Sequence, residues 1–145
     1  GEVQRMSAGS GVRHSEYNPS SGVGTHLLQI WILPEQENIH PSYGQKDFSA
    51  KLKEGHLTLV VSKDGREGSI PMNQDVDLYA AQSRSGAKFE FVMRPERGGW
   101  VQLVRGQLQV NGNALNPGDG LAIANEGQLQ FVVLADSEFL FFDLP

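Results

Sequence analysis

The feature that most limits what this chain can become is the spacing of its turns after residue 55. Asp64-Gly65, Ser85-Gly86, Gly98-Gly99, Asn111-Gly112-Asn113, Asn116-Pro117-Gly118 and Glu126-Gly127 recur between short apolar runs. Gly, Asn and Pro at such places favour chain reversal. The runs between them predict strands at Leu57–Ser62, Asp77–Ser83, Lys88–Met93, Trp100–Val104, Gln107–Val110, Leu121–Ala124, Gln128–Leu134 and Glu138–Asp143. Short strands at regular spacing indicate an antiparallel sandwich or barrel. Asn111-Gly112 is the sharpest signal, since both positions of a type I′ hairpin turn need positive φ. In the last run Phe139 and Phe141 alternate with Leu140 and Phe142. Both faces of that strand are therefore expected to be covered.

Eight strands of about 5–6 residues with short turns need roughly 60–90 residues. Residues 55–145 suffice for one small closed barrel. Residues 1–33 hold too few strands to close anything alone. The expected organisation is the C-terminal strands of another barrel at 1–33, a connector at 34–54 and a whole barrel at 55–145. In the first part, His26–Leu33 is apolar on both alternating faces and is predicted to be a doubly covered strand ended by Pro34. The connector is polar, carries Pro41 and fits a short helix near Gln45–Lys53.

Acidic residues outnumber basic ones, 17 to 12, for a formal charge of −5. The basic residues are scattered, which argues against a broad nucleic-acid surface. No apolar run reaches the length of about 18 residues that a membrane helix needs. The expectation is a soluble, cytoplasmic protein with neither nucleic acid nor membrane as partner. With no cysteine, any metal must be held by His and carboxylate oxygen.

Ser7–Pro19 holds the one arrangement that looks like a metal site. If Arg13–Tyr17 is extended, His14 and Glu16 face the same way, and one ion at about 2 Å from each would be shared. Spacing alone leaves this open, because a His and a Glu two residues apart equally form a solvated pair. Stable transition-metal sites use three or four ligands. Of the other histidines, His26 at a strand entrance reads as a hydrogen-bonded structural residue, and His40 and His56 as exposed ones. Gly9 and Gly11 permit a tight bend. A phosphate loop there is disfavoured, since no convincing helix and no Lys-Ser or Lys-Thr pair follows.

Met6–Pro19, continued by His26–Pro34, Asp64–Ser69, Gln74-Asp75, Val110-Asn111-Gly112, Asp119-Gly120 and Phe141–Pro145, resembles the pirin family of bicupins, which includes bacterial pirin-like quercetin 2,3-dioxygenases. The resemblance implies an all-β cupin fold, an antiparallel jelly-roll barrel, with one complete C-terminal barrel and the remnant of an N-terminal one. It also implies a metal held by three His and one Glu, with His14 and Glu16 as two of the four. The other two belong to a His-x-His motif on an earlier strand, and no His-x-His occurs in these 145 residues. The implied metal is one divalent transition ion, iron first, with manganese, nickel, copper, cobalt and zinc as further candidates. The implied substrate is a flavonol such as quercetin, and the implied catalytic residue is Glu16, which would also accept the flavonol proton, a role that requires an ionised carboxylate.

Residues 57–145 contain no histidine, so a structural role is expected for the C-terminal barrel. With half of the ligand set absent, weak metal binding and little turnover are expected of this chain. The alternative is a non-enzymatic protein-binding module. Leu28, Ile30 and Trp31, if uncovered, would then support a homodimer or strand exchange.

Overall fold

The computed structural model describes all 145 residues. Strand β1 (Glu2–Ser7) pairs antiparallel with β2 (Ser42–Asp47), in register from Glu2↔Asp47 to Ser7↔Ser42. Residues 8–41 therefore leave and return at one point, and they contain no helix or strand. A single helical turn, α1 (Ser49–Leu52), leads to β3 (Thr58–Ser62), a 3-10 turn at Arg66–Gly68 and β4 (Ile70–Pro71). Then come β5 (Asp77–Ser83), β6 (Lys88–Val92), β7 (Gly98–Val110), β8 (Asn113–Leu115), β9 (Gly120–Ile123) and β10 (Gln128–Leu144). These last eight strands form one sheet in the order β4-β3-β5-β10-β7-β8, with β6 added to β10 and β9 to β7. No helix is long and apolar enough to cross a membrane.

The longest strand, β10, runs through the middle of this sheet. Its first half pairs with β6 and with the end of β7, and its second half with β5 and the start of β7. Both long strands bend to do so. Gly106 has φ of 89°, and a Cβ there would run into the Asp136 carbonyl and Ser137. Opposite it, the Ser137 hydroxyl accepts from the Gln107 N–H and lies within hydrogen-bond distance of the Gln107 carbonyl, both at 3.0 Å. The ladder slips register between Val133 and Phe139, as bulged strands do at a bend.

Alternation along β5, β7 and β10 builds two cores. Ala81, Val101, Leu103, Leu108, Val110, Leu129, Phe131, Phe139 and Phe141 fill the inner one. Leu78, Ala80 and Phe142, of the opposite parity on β5 and β10, point the other way, into a second core with Phe48, Leu52, Val60, Val61, Ile70 and Val76. Phe48 and Leu52 flank or form α1, and Val3 comes from β1, so the N-terminal elements cover the outer face of the barrel sheet. The last strand is thus covered on both faces, as its alternation predicts.

Tyr79 lies at the edge of the inner core, stacked on Phe141 at 5.8 Å and edge-on to Phe91 at 5.2 Å. Burial pushes its phenol pKa up, and the Asp77 carboxylate adds to this. The fold favours the neutral phenol. Its contribution to stability is whole below the unfolded value of about 10 and is lost as pH rises through the higher folded value. In an alkaline absorbance titration, the phase removed by Tyr79→Phe is expected above about 10; a phase at or below that value would contradict the burial account.

Several elements differ from expectation. Trp100–Val104 and Gln107–Val110 are one strand, as are Gln128–Leu134 and Glu138–Asp143, because the gaps between the predicted runs, at 105–106 and 135–137, are bends within continuous ladders, and Gly98-Gly99, expected as a turn, opens β7. The connector carries β2 at Ser42–Asp47, and its helix is confined to Ser49–Leu52. Arg13–Tyr17 is not a strand, since no neighbouring strand offers it a ladder. His26–Leu33 is neither a strand nor covered: Leu27, Leu28, Ile30 and Leu33 are exposed and Trp31 is 89% exposed. Only Ile32 in this stretch packs against a core.

Candidate functional site

Residues 8–41 carry every sequence-based site candidate. The stem is fixed by the Ser7↔Ser42 pair, across which Arg5 Nη1 donates to the Ser42 hydroxyl at 2.6 Å and the Ser7 hydroxyl at 3.2 Å. Two turns follow. The Gly11 N–H bonds the Ala8 carbonyl at 2.8 Å. Further on, Asn18 accepts from the Ser20 N–H at 3.0 Å and donates to the Val23 carbonyl at 2.6 Å, an Asx-type turn. His14 and Glu16 lie between these turns, exposed. Neither side chain makes a hydrogen bond or ion pair, so nothing fixes the imidazole tautomer that a ligating His ordinarily needs fixed. His26 and His40 are exposed as well, and His26 lacks the hydrogen bond expected of it. His56, also exposed, lies 3.6 Å from Glu54.

No group of three His, Asp or Glu side chains is arranged so that it could hold a metal ion. The residues present therefore do not form a transition-metal site by themselves. His14 and Glu16 are two donors on an exposed segment.

The interior of the C-terminal barrel offers no alternative. It is filled by an aromatic cluster: Phe131 lies 5.5 Å from Phe89, 5.6 Å from Phe139 and 5.9 Å from Phe141. Phe131, Phe139 and Phe141 are fully buried. The arrangement supplies packing and no donor atoms.

A charged cluster at one end of this barrel escapes sequence reasoning. Asp77 and Asp143 are direct cross-strand partners and are both buried. Arg66 meets both Asp77 oxygens, at 2.9 and 2.5 Å. Arg94 bridges the two carboxylates, at 2.6 Å to Asp77 and 2.7 Å to Asp143. Arg97 donates to the Asp143 carboxylate at 2.5 Å, to its backbone carbonyl at 2.8 Å and to the Asp75 carboxylate at 2.9 Å. The hydrogen bond to Asp77 drives the Arg66 pKa upward. For Arg97, burial works against the charge, and the bond and charge of Asp143 more than offset it. Every charge in the cluster is paired, so it holds the 3-10 turn and the β6–β7 loop onto the strand ends and leaves no free group for chemistry. Three of the segments that carry the family resemblance, Asp64–Ser69, Gln74-Asp75 and Phe141–Pro145, meet here; that convergence is the signal a sequence reading could have used.

The barrel at residues 58–144, built almost wholly of antiparallel strands, has the all-β architecture of a cupin. Residues 59–144 match the family model described as the quercetinase C-terminal cupin domain, and residues 1–32 match that of pirin. The chain belongs to the pirin family. It is 44% identical over 145 residues to the quercetin 2,3-dioxygenase of Escherichia coli K12, and 33% identical over 144 residues to a pirin-like protein of Caulobacter vibrioides. It covers 100% and 99% of its own length in these matches and 62% of each relative. Among solved structures, Escherichia coli YhhW superposes with a TM-score of 0.92 at 44% identity, over 100% of this chain and 61% of that one. The nickel(II) complex of the same bacterial pirin gives 0.91 at 43%, over 100% and 62%. The chain thus spans less than two thirds of the relatives it matches.

Proposed function

We propose that this chain is the part of a quercetin 2,3-dioxygenase-related pirin that supplies His14 and Glu16 to a divalent metal centre, with residues 55–145 as a scaffolding barrel. The observation that carries the reading is the end-to-end match, at 44% identity, to a relative named quercetin 2,3-dioxygenase. The nickel(II) complex of the similar bacterial pirin supports a divalent metal, with iron first among the candidates and manganese, nickel, copper, cobalt and zinc behind it. The separate family matches at 1–32 and 59–144 support a division into 1–33, a connector at 34–54, and 55–145. The substrate class is a flavonol, with Glu16 accepting the proton of its hydroxyl group. The donor set here is incomplete, so no step is assigned to a metal.

With two donors, this chain is expected to purify with well under one metal per chain and to cleave little quercetin in air. Metal analysis and aerobic turnover test this together. One tightly held metal per chain with relative-like turnover would overturn the incomplete-site reading.

A second reading, a protein-binding module without catalysis, is favoured by one observation: Leu27, Leu28, Ile30, Trp31 and Leu33 form an exposed apolar stretch. Light scattering separates the two. A monomer at all concentrations opposes homodimerisation or strand exchange through this stretch, and a dimer lost on Trp31→Ser supports it.

A further inference from the structure

The C-terminal barrel contributes no ligand of its own, yet its turn between β4 and β5 takes hold of both ends of the segment that carries His14 and Glu16. On the outgoing side Asn73 Nδ2 donates to the hydroxyl of Ser7, the last residue of β1, at 3.2 Å. On the returning side the Asn73 carbonyl accepts from the Glu35 N–H at 2.9 Å, and Gln74 Nε2 donates to the Leu33 carbonyl at 2.7 Å. Lys63 pairs with the Glu35 carboxylate at 2.7 Å. The Leu33 and Glu35 bonds flank Pro34, whose ring fixes φ and which has no N–H to offer. Ile32, just before them, packs against the second core, as does Met72.

The turn itself is firmly anchored. The Met72 N–H bonds the Ser62 carbonyl at 2.8 Å, the Asp75 N–H bonds Gln74 Oε1 at 2.8 Å, and the Asp75 carboxylate is held by Arg97. The segment is therefore tied to the rigid part of the molecule at its base and left exposed along its length.

We propose that the Asn73-Gln74 turn is a clamp through which the barrel positions the segment bearing His14 and Glu16, so that Asn73 and Gln74 are positioning residues for that site. The consequence for the site rests on the metal reading above; the clamp does not. Losing one hydrogen bond of this kind corresponds to about a five-fold change in an equilibrium constant.

The test compares Gln74→Ala with Gln74→Glu, which loses the donor to Leu33 and keeps an oxygen for the Asp75 N–H, in the 145-residue chain. Hydrogen exchange of residues 30–36, nickel(II) affinity by calorimetry and the melting temperature are measured for each. Both variants are expected to speed exchange at 30–36 and to weaken nickel(II) binding, each by about five-fold, and Gln74→Glu leaves the melting temperature unchanged. Unchanged exchange at 30–36 in Gln74→Glu overturns the clamp. So does faster exchange throughout the chain with a lower melting temperature, which is what a merely structural residue would give. Faster local exchange with unaltered nickel(II) affinity, where His14→Ala abolishes binding, overturns the positioning role. If His14→Ala leaves nickel(II) binding intact, the metal reading fails instead, and exchange alone decides the clamp.

Discussion

Asp143→Ala is expected to destabilise the protein by about 3–5 kcal/mol, the cost of breaking a buried ion pair by removing one partner. The Asp143 side chain is 1% exposed and the facing Arg97 only 8%. Removing the carboxylate leaves the buried Arg97 guanidinium with only Asp75 and the Asp143 backbone carbonyl, leaves Arg94 with Asp77 alone, and so loosens the hold of the β6–β7 loop on the end of β10. An exposed pair behaves differently. Lys63 and Glu35 are each about half exposed, and Glu35→Ala should leave the urea midpoint close to that of the parent chain. Urea denaturation measures both, read as a shift in midpoint at constant slope. A loss below about 1 kcal/mol for Asp143→Ala would mean that the cluster is hydrated and unimportant to the fold.

Phe131→Ala is expected to cost a similar amount, about 3–5 kcal/mol. Its ring is fully buried and packs against Phe89, Phe139 and Phe141. Those neighbours belong to β6 and β10, which are laddered to each other, so they have little freedom to collapse into the space. Phe131→Leu keeps more of the volume and should cost less. A loss of under about 1.5 kcal/mol for the alanine variant would show a core loose enough to repack, and would reopen the question of a ligand space inside the barrel.

The barrel was legible because its signals are local. Asp77–Ser83 is a strand with the bounds its pattern gives. Asn111 and Gly112 take φ of 45° and 82°, and Val110 faces Asn113 across the turn. Phe139–Phe142 serves two cores because each parity of the strand is apolar. Legibility ended where structure depends on distant partners. Ser42–Asp47 is a polar, mostly exposed strand with no apolar period, and it is defined only by its pairing with β1. His26–Leu33 shows the reverse failure: an apolar run says that covering is favourable, and nothing in it says which strands would do the covering. The Asp77, Asp143, Arg66, Arg94 and Arg97 cluster is drawn from four separate places in the chain, and no spacing rule reaches across them. The same holds for Asn73 and Gln74, which read as ordinary turn residues until the structure shows what they grip.

Under the proposed function, the chemistry this chain contributes resides in His14 and Glu16 while the barrel supports them. Calorimetric titration of nickel(II) into the chain and into His14→Ala and Glu16→Gln variants tests it most directly. Weak binding in the parent chain that is lost in either variant, with unchanged melting temperatures, is the expected result. Nickel(II) binding that survives both substitutions would place the metal elsewhere and contradict the claim.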